Sequence, residues 1–203
     1  MKKCSDVYLE DIVKQCEMVD NFQYQYFKGL KNRRIILNGE ICADTIVQDV
    51  LLPLIDMDDG SGKEIELIVN SPGGDVISTF RIIDVLDTIK TPVHIKALVS
   101  CQSAALYLML GGKNNPNVRT SCSKNTVGLL HSGSVGLAEM DANAADDVMN
   151  FFKKYDAKVK ELVLSRTTLD LKTFNKMSKK EWYMFGDELV KYGFIDKLEE
   201  TEE

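Results

Sequence analysis

Short apolar runs alternate with longer helical patterns along most of the 203-residue chain. The apolar runs are typical of short buried strands and lie at residues 34–39, 65–69, 93–99 and 193–196. Apolar residues at three-and-four spacing predict helices over residues 43–56, 76–89 and 103–110. Strands that alternate with helices indicate βαβ units, whose crossovers are nearly always right-handed. We therefore predict an α/β fold.

Two helical patterns lie outside this alternation. Residues 7–19 have a roughly helical apolar period and predict an amphipathic N-terminal helix, which an aromatic-rich link follows over residues 22–27. Residues 140–166 predict a long helix with an apolar stripe from Val148 to Val163. Because this helix exceeds the average of ~11–12 residues, we expect it to extend beyond the body of the protein.

Composition narrows the classes of function. Hydrophobic residues make up 44% of the chain, enough for one sizeable core. The net charge is −6 without a lysine or arginine run, so we expect no nucleic-acid partner. No stretch approaches the ~20 apolar residues that span a bilayer, and no signal-peptide core follows Lys2 and Lys3. Five scattered cysteines fit a reducing compartment, and we expect a cytoplasmic protein without membrane attachment or structural zinc.

Only two histidines are available as a general base. His94 lies inside a predicted strand, where a structural residue in a polar niche is expected. His131 ends another apolar run, at the sheet edge where strands end and helices begin; sites form at that edge in open α/β sheets. Ser103 lies at the same edge, between a strand and a helix, where free N–H groups favour a developing oxyanion. The alternative for Ser103 is simple helix capping.

Two further features lie near Ser103 in the sequence or at the same predicted sheet edge. Ser100 and Cys101 are competing nucleophiles close to Ser103. Residues Ser71-Pro72-Gly73-Gly74 join a strand to a helix, and their two glycines allow backbone N–H groups to approach a bound carbonyl. An ordinary βα turn is the alternative, and the phosphate-binding GxxxxGK[ST] pattern is absent from the chain.

In order and spacing, these features resemble the proteolytic subunit of Clp protease. The resemblance covers about residues 30–198 and is carried by residues 70–74, 100–105, 129–131 and 187–196. It implies a crotonase/ClpP-like fold of repeated βαβ units, with residues 140–166 as a protruding handle. The domains implied are an N-terminal helix and aromatic-rich link over residues 1–29, a Clp-like serine peptidase domain over 30–198 and an acidic tail over 199–203.

The resemblance also implies roles for five residues. Ser103 matches the nucleophile and His131 the general base, while Glu181 stands at the position of the acid, an aspartate in the family. Gly74 and Ala104 match the residues whose amides form the oxyanion hole. The implied function is a serine endopeptidase without cofactor or metal. It would cleave unfolded polypeptides or peptides inside a homo-oligomeric double ring, a tetradecamer, fed by an AAA+ unfoldase.

The chain departs from the family pattern at several points. Gln102-Ser103-Ala104-Ala105 replaces the usual Ala-Ser-Met-Gly, Ser132-Gly133 replaces Gln-Pro, and residues 113–117 lengthen the link to the histidine. Two other functions are therefore considered. One is a catalytically inactive structural ring subunit. The other is a crotonase-type acyl-CoA enzyme, which binds a thioester carbonyl with two amides and needs no Ser–His pair. A membrane-bound signal-peptide peptidase is disfavoured because those enzymes use a Ser–Lys pair.

Overall fold

The computed structural model of the protein describes residues 21–134 and 141–199. The predicted helix over residues 7–19 lies outside these residues. Helix α1 (Asn21–Lys31) contains the aromatic segment that we predicted as a link, so that prediction was wrong. Long-range contacts hold this helix in place: the Tyr26 hydroxyl donates to the carbonyl of Asp49 at 3.0 Å, and Leu30 packs against the core. Local sequence does not reveal such contacts.

The remaining elements follow the predicted alternation. Strand β1 (Arg34–Asn38) leads into helix α2 (Ala43–Ile46), a π-helical turn (Val47–Leu51) and helix α3 (Leu52–Met57). Next come β2 (Ile65–Ser71), α4 (Val76–Thr88), β3 (Val93–Gln102) and the short α5 (Ala104–Leu108). The C-terminal part contains β4 (Val118–Cys122), β5 (Val127–Leu130), α6 (Ala142–Arg166), α7 (Leu171–Met177), β6 (Trp182–Phe185), α8 (Gly186–Lys191) and β7 (Lys197–Leu198).

Within the described residues, the strands form one sheet of order β1-β2-β3-β4-β7, and all of these pairs are parallel. The ten-residue β3 has two partners on one side. Its first half pairs with β4, and residues Ser100–Gln102 then pair in parallel with β5. Strand β6 runs antiparallel to β5. The end of β3 therefore lies beside β5 and one strand away from β6, and these three strands position the candidate site.

The core lies between the sheet and its helices. Along β2, the side chains of Ile65, Leu67 and Val69 are fully buried and alternate with half-buried residues, as expected for a strand with one face against helices. Helix α5 is buried along its whole length, which explains why its sequence has no polar face. The structure thus confirms the predicted α/β fold with a parallel sheet.

The long helix is anchored at its C-terminal end. The Asp141 carboxylate caps α6 by accepting from the amides of Asn143 and Ala144, which explains where the helix begins. Its buried side chains, Val159, Leu162 and Val163, all lie in the C-terminal third. There Arg166 forms a two-pronged ion pair with Asp87, at 2.6 and 2.7 Å, and donates to the Leu110 carbonyl at 2.9 Å.

Two strand predictions need correction. Residues 193–196 form a bend rather than a strand, because Gly193 has φ +79° and the Phe194 amide donates to the carbonyl of Leu189. The strand follows immediately as β7. Strands β4 and β6 were not predicted. In the part of the chain that the structure describes, no helix is both long and apolar enough to cross a bilayer.

Candidate active site

Ser103 occupies the sharp turn between β3 and α5. Its backbone has φ +52° and ψ −123°, a conformation that is rare for a residue other than glycine. The turn is held on both sides, because the Ser103 amide donates to the Leu129 carbonyl at 2.8 Å and its own carbonyl accepts from the Leu106 amide at 2.9 Å. The hydroxyl does not cap α5, so the capping interpretation is wrong. Backbone strain of this kind concentrates at functional sites.

His131 lies immediately after β5, beside this turn. Its Nε2 is 2.8 Å from the Ser103 hydroxyl oxygen. The main chain around it is tied in two places: the buried Tyr107 hydroxyl donates to the His131 carbonyl at 3.2 Å, and the Ser132 hydroxyl donates to the Ser178 carbonyl at 2.7 Å. The sequence analysis singled out neither contact. The structure therefore brings the predicted serine and histidine into direct hydrogen-bonding distance.

Glu181 completes a chain of hydrogen bonds. The antiparallel register of β5 and β6 pairs Leu130 with Trp182, so that Glu181 lies opposite His131. Its Oε1 is 3.1 Å from His131 Nδ1. The Glu181 side chain is 59% exposed and that of His131 is 28% exposed. Solvent therefore screens part of the interaction between this carboxylate and the imidazole.

The competing nucleophiles do not share this geometry. Burial holds the pKa of the Cys101 thiol far above its ordinary value, so this thiol stays protonated and inaccessible. The Ser100 hydroxyl accepts from the Gln102 side-chain amide at 2.8 Å. The other histidine, His94, donates or accepts at 2.8 Å with Ser121 and is 7% exposed. As predicted, His94 lies in a polar niche, where burial and then Arg119 lower its pKa.

The glycine loop, residues Ser71-Pro72-Gly73-Gly74, packs directly on the turn at Ser103. Gly73 has φ +100°, and a Cβ atom built on it would lie 2.8 Å from Ser103 Cβ and 2.9 Å from the Ala104 amide nitrogen. The Gly73 amide donates to the Ser71 hydroxyl at 3.0 Å, and its carbonyl accepts from the Ile41 amide at 2.7 Å. Within the described residues, the amides of Gly74 and Ala104 have no acceptor. Gly74 is exposed at the cavity, whereas Ala104 is fully buried.

A cavity of about 320 Å³ opens beside Ser103 and Gly74. Its walls are mainly apolar and aromatic, with Val76 and Ile77 from the start of α4 and Phe152 and Tyr155 from α6. A pocket of this size and character, with a few polar groups at one end, is typical of small-ligand and side-chain binding sites. Across the described ranges, no group of three or more His, Cys, Asp or Glu side chains is arranged to hold a metal ion.

Comparison with known proteins places the chain in a family. The family model described as Clp protease matches residues 18–202. The chain is 27% identical over 173 residues to the ATP-dependent Clp protease proteolytic subunit 2 of Treponema pallidum (strain Nichols), covering 84% of each chain. It is 27% identical over 192 residues to the ATP-dependent Clp protease proteolytic subunit of Carsonella ruddii (strain PV), covering 95% of this chain and 96% of that relative. Because the family model spans nearly all of its residues, the chain belongs to the Clp protease family.

Proposed function

We propose that the chain is a serine endopeptidase in which Ser103 is the nucleophile, His131 the general base and Glu181 the acid that orients it. One observation carries the proposal: the 2.8 Å contact between the Ser103 hydroxyl and His131 Nε2. A general base must lie within hydrogen-bonding distance of the proton that it removes. The contact from Nδ1 to Glu181 extends the pair into the arrangement that serine hydrolases use on unrelated folds.

The first half-reaction would form an acyl ester on Ser103. His131 Nε2 takes the hydroxyl proton while Oγ bonds to the peptide carbonyl carbon, and the carbonyl electron pair moves onto oxygen. The Gly74 and Ala104 amides donate to this oxyanion. When the tetrahedral intermediate collapses, the C–N bond breaks and His131 passes its proton to the leaving amine.

The second half-reaction would hydrolyse the ester. His131 removes a proton from water, and the water oxygen bonds to the acyl carbon. The bond from that carbon to Ser103 Oγ then breaks, and the serine recovers its proton from the imidazolium. Glu181 accepts from Nδ1–H throughout, which keeps Nε2 free to act as a base and stabilises the imidazolium.

The names of the relatives support a proposal about assembly. They are called ATP-dependent and proteolytic subunits, and we propose that this chain likewise acts in the cytoplasm as a subunit of a homo-oligomeric double ring that an ATP-driven unfoldase feeds with unfolded polypeptide. Four large apolar side chains on β3 and β6, which flank β5, are more than half exposed in the single chain: Leu98, Val99, Tyr183 and Phe185. Exposed apolar groups of this kind favour association. Light scattering after size exclusion should show an oligomer rather than a monomer.

A peptidase assay with matched serine variants tests the proposed chemistry. The wild type should cleave unstructured peptides that carry a fluorogenic leaving group, and Ser103→Ala should abolish the release of fluorescence. Ser100→Ala is the matched control, because Ser100 lies three residues away without contacting His131, and it should retain most activity. A folded Ser103→Ala protein that keeps wild-type turnover would refute the proposal and favour an enzyme that uses the amides alone.

A further inference from the structure

The cavity beside Ser103 contains negative charge as well as aromatic walls. Asp75 and Asp156 both line it, whereas no lysine or arginine does among the described residues. The Asp75 carboxylate is already occupied, because it caps α4 by accepting from the Ser78 amide at 2.7 Å. The exposed Asp156 side chain forms no hydrogen bond or ion pair with any described residue. Its carboxylate is therefore the one free to meet a ligand.

The position of Asp156 follows from the helical spacing of α6. Phe152, Tyr155, Asp156 and Val159 lie at intervals of three and four residues, so they share the face that lines the cavity. The four lysines of α6 are absent from the lining. Burial and, second, the negative charge of Asp156 raise the pKa of the Tyr107 hydroxyl. The carboxylate is thus close to the hydroxyl that contacts the His131 carbonyl.

The aromatic walls have fixed orientations. Tyr155 packs edge to face against Phe151, with ring centroids 4.9 Å apart, and against Phe80 at 6.0 Å. Aromatic faces bind the aliphatic stems of long side chains and also attract cations. A wholly apolar ligand would use these walls and leave the exposed carboxylate to solvent, whereas a cationic one would also pair with it. An acidic ligand would be repelled by it.

We propose that the cavity selects lysine or arginine as the residue whose carbonyl Ser103 attacks, and that Asp156 is the specificity-determining residue. The inference rests on the proposed peptidase function, because it concerns the substrate of the same site. The aliphatic stem would lie along the aromatic walls, and the cationic end would pair with the Asp156 carboxylate. The cavity volume of about 320 Å³ is large enough for such a side chain.

The test compares two fluorogenic peptides that differ only in arginine or citrulline at the cleaved residue, since citrulline has nearly the same shape without the charge. The wild type should have a kcat/KM about fivefold higher for arginine, the upper range for an exposed ion pair. In Asp156→Asn the ratio should fall below about twofold. Asp146→Asn removes an exposed charge from the same helix outside the cavity and should keep the wild-type ratio.

Labelling of the same samples with a fluorophosphonate probe separates the two claims. If the wild type is labelled at Ser103 but cleaves both peptides equally, or if Asp156→Asn keeps the full preference, the inference about specificity is refuted and the peptidase remains. If the folded wild type is not labelled, the proposed function fails and the inference fails with it. The arginine preference should also decrease at high salt, because screening weakens an exposed charge pair.

Discussion

Gly73→Ala tests whether the position of the turn at Ser103 requires a residue without a side chain at the facing position of the glycine loop. The new Cβ would lie 2.6 Å from the Gln102 carbonyl oxygen, 2.8 Å from Ser103 Cβ and 2.9 Å from the Ala104 amide nitrogen. None of these atoms is the end of a flexible side chain, so the loop or the turn must move. Either movement displaces the proposed nucleophile, Ser103, or a proposed oxyanion donor. Loss of one such donor costs ~10²–10³ in kcat, and we expect a decrease of at least about 10²-fold in kcat/KM.

The matched control is Gly39→Ala. Gly39 has φ +113°, close to the +100° of Gly73, but a Cβ atom there would meet nothing within 4 Å. Both variants should lose stability, because an alanine in this backbone region costs about 1–3 kcal/mol. Only Gly73→Ala should lose catalysis when peptide cleavage is measured below the melting temperature of both proteins. If the two variants have similar kcat/KM values, the reasoning about the loop is wrong.

Three further predictions concern the acid, the long helix and the buried histidine. Glu181→Gln removes the charge beside His131 and should lower kcat by about 10²-fold, while Glu181→Asp should retain more activity; unchanged steady-state kinetics would contradict its role. Arg166→Met removes the guanidinium from Asp87 and from the Leu110 carbonyl, which among the described residues keep only the amides of Gly112 and Lys113 as donors. It should lower the free energy of unfolding in urea by about 2 kcal/mol, a value discounted because the Arg166 and Asp87 side chains are 16% and 30% exposed. Because burial lowers the pKa of His94 from 6.5, its contribution to stability should be complete above pH 6.5 and decrease as the pH falls through the lowered folded-state pKa. His94→Asn should remove this part of the pH dependence, and an unchanged slope would assign it to other groups.

The alternation of elements could be predicted because the first three strands in the chain contain runs of apolar residues. β1 and β2 bury alternate apolar side chains in the core, the first half of β3 buries most of its residues, and the helices between these strands have three-and-four spacing. An apolar run indicates that side chains are buried, but it does not show whether the backbone forms the hydrogen bonds of a strand. Phe194 and Ile195 are nearly inaccessible to solvent, as the apolar run indicated, but they pack from a bend and not from a strand.

The missed strands owe their structure to long-range pairing. β4 is polar because Arg119 pairs with Glu64 and Ser121 contacts His94, contacts between residues that are far apart in the sequence. β6 exposes aromatic side chains and is a strand because it pairs with β5. A local pattern carries no information about such partners.

The residues of the candidate site also differ in whether the local sequence could identify them. Ser103 and His131 could be found because both follow apolar runs at the edge where strands end, and the structure brings them together. Glu181 came only from the family resemblance, since its position opposite His131 depends on the β5–β6 register. Asp156 was not singled out, because one acid among the many charges of α6 is conspicuous only when the cavity that it lines is known.

The central claim is that Ser103 is a nucleophile activated by His131. Mass spectrometry after treatment with a fluorophosphonate, followed by peptide mapping, tests it most directly. We predict a single adduct on Ser103 in the wild type, much slower labelling in His131→Ala, and no adduct in Ser103→Ala. A folded wild-type protein that gains no adduct, or a Ser103→Ala protein labelled as fast as the wild type, would contradict the claim.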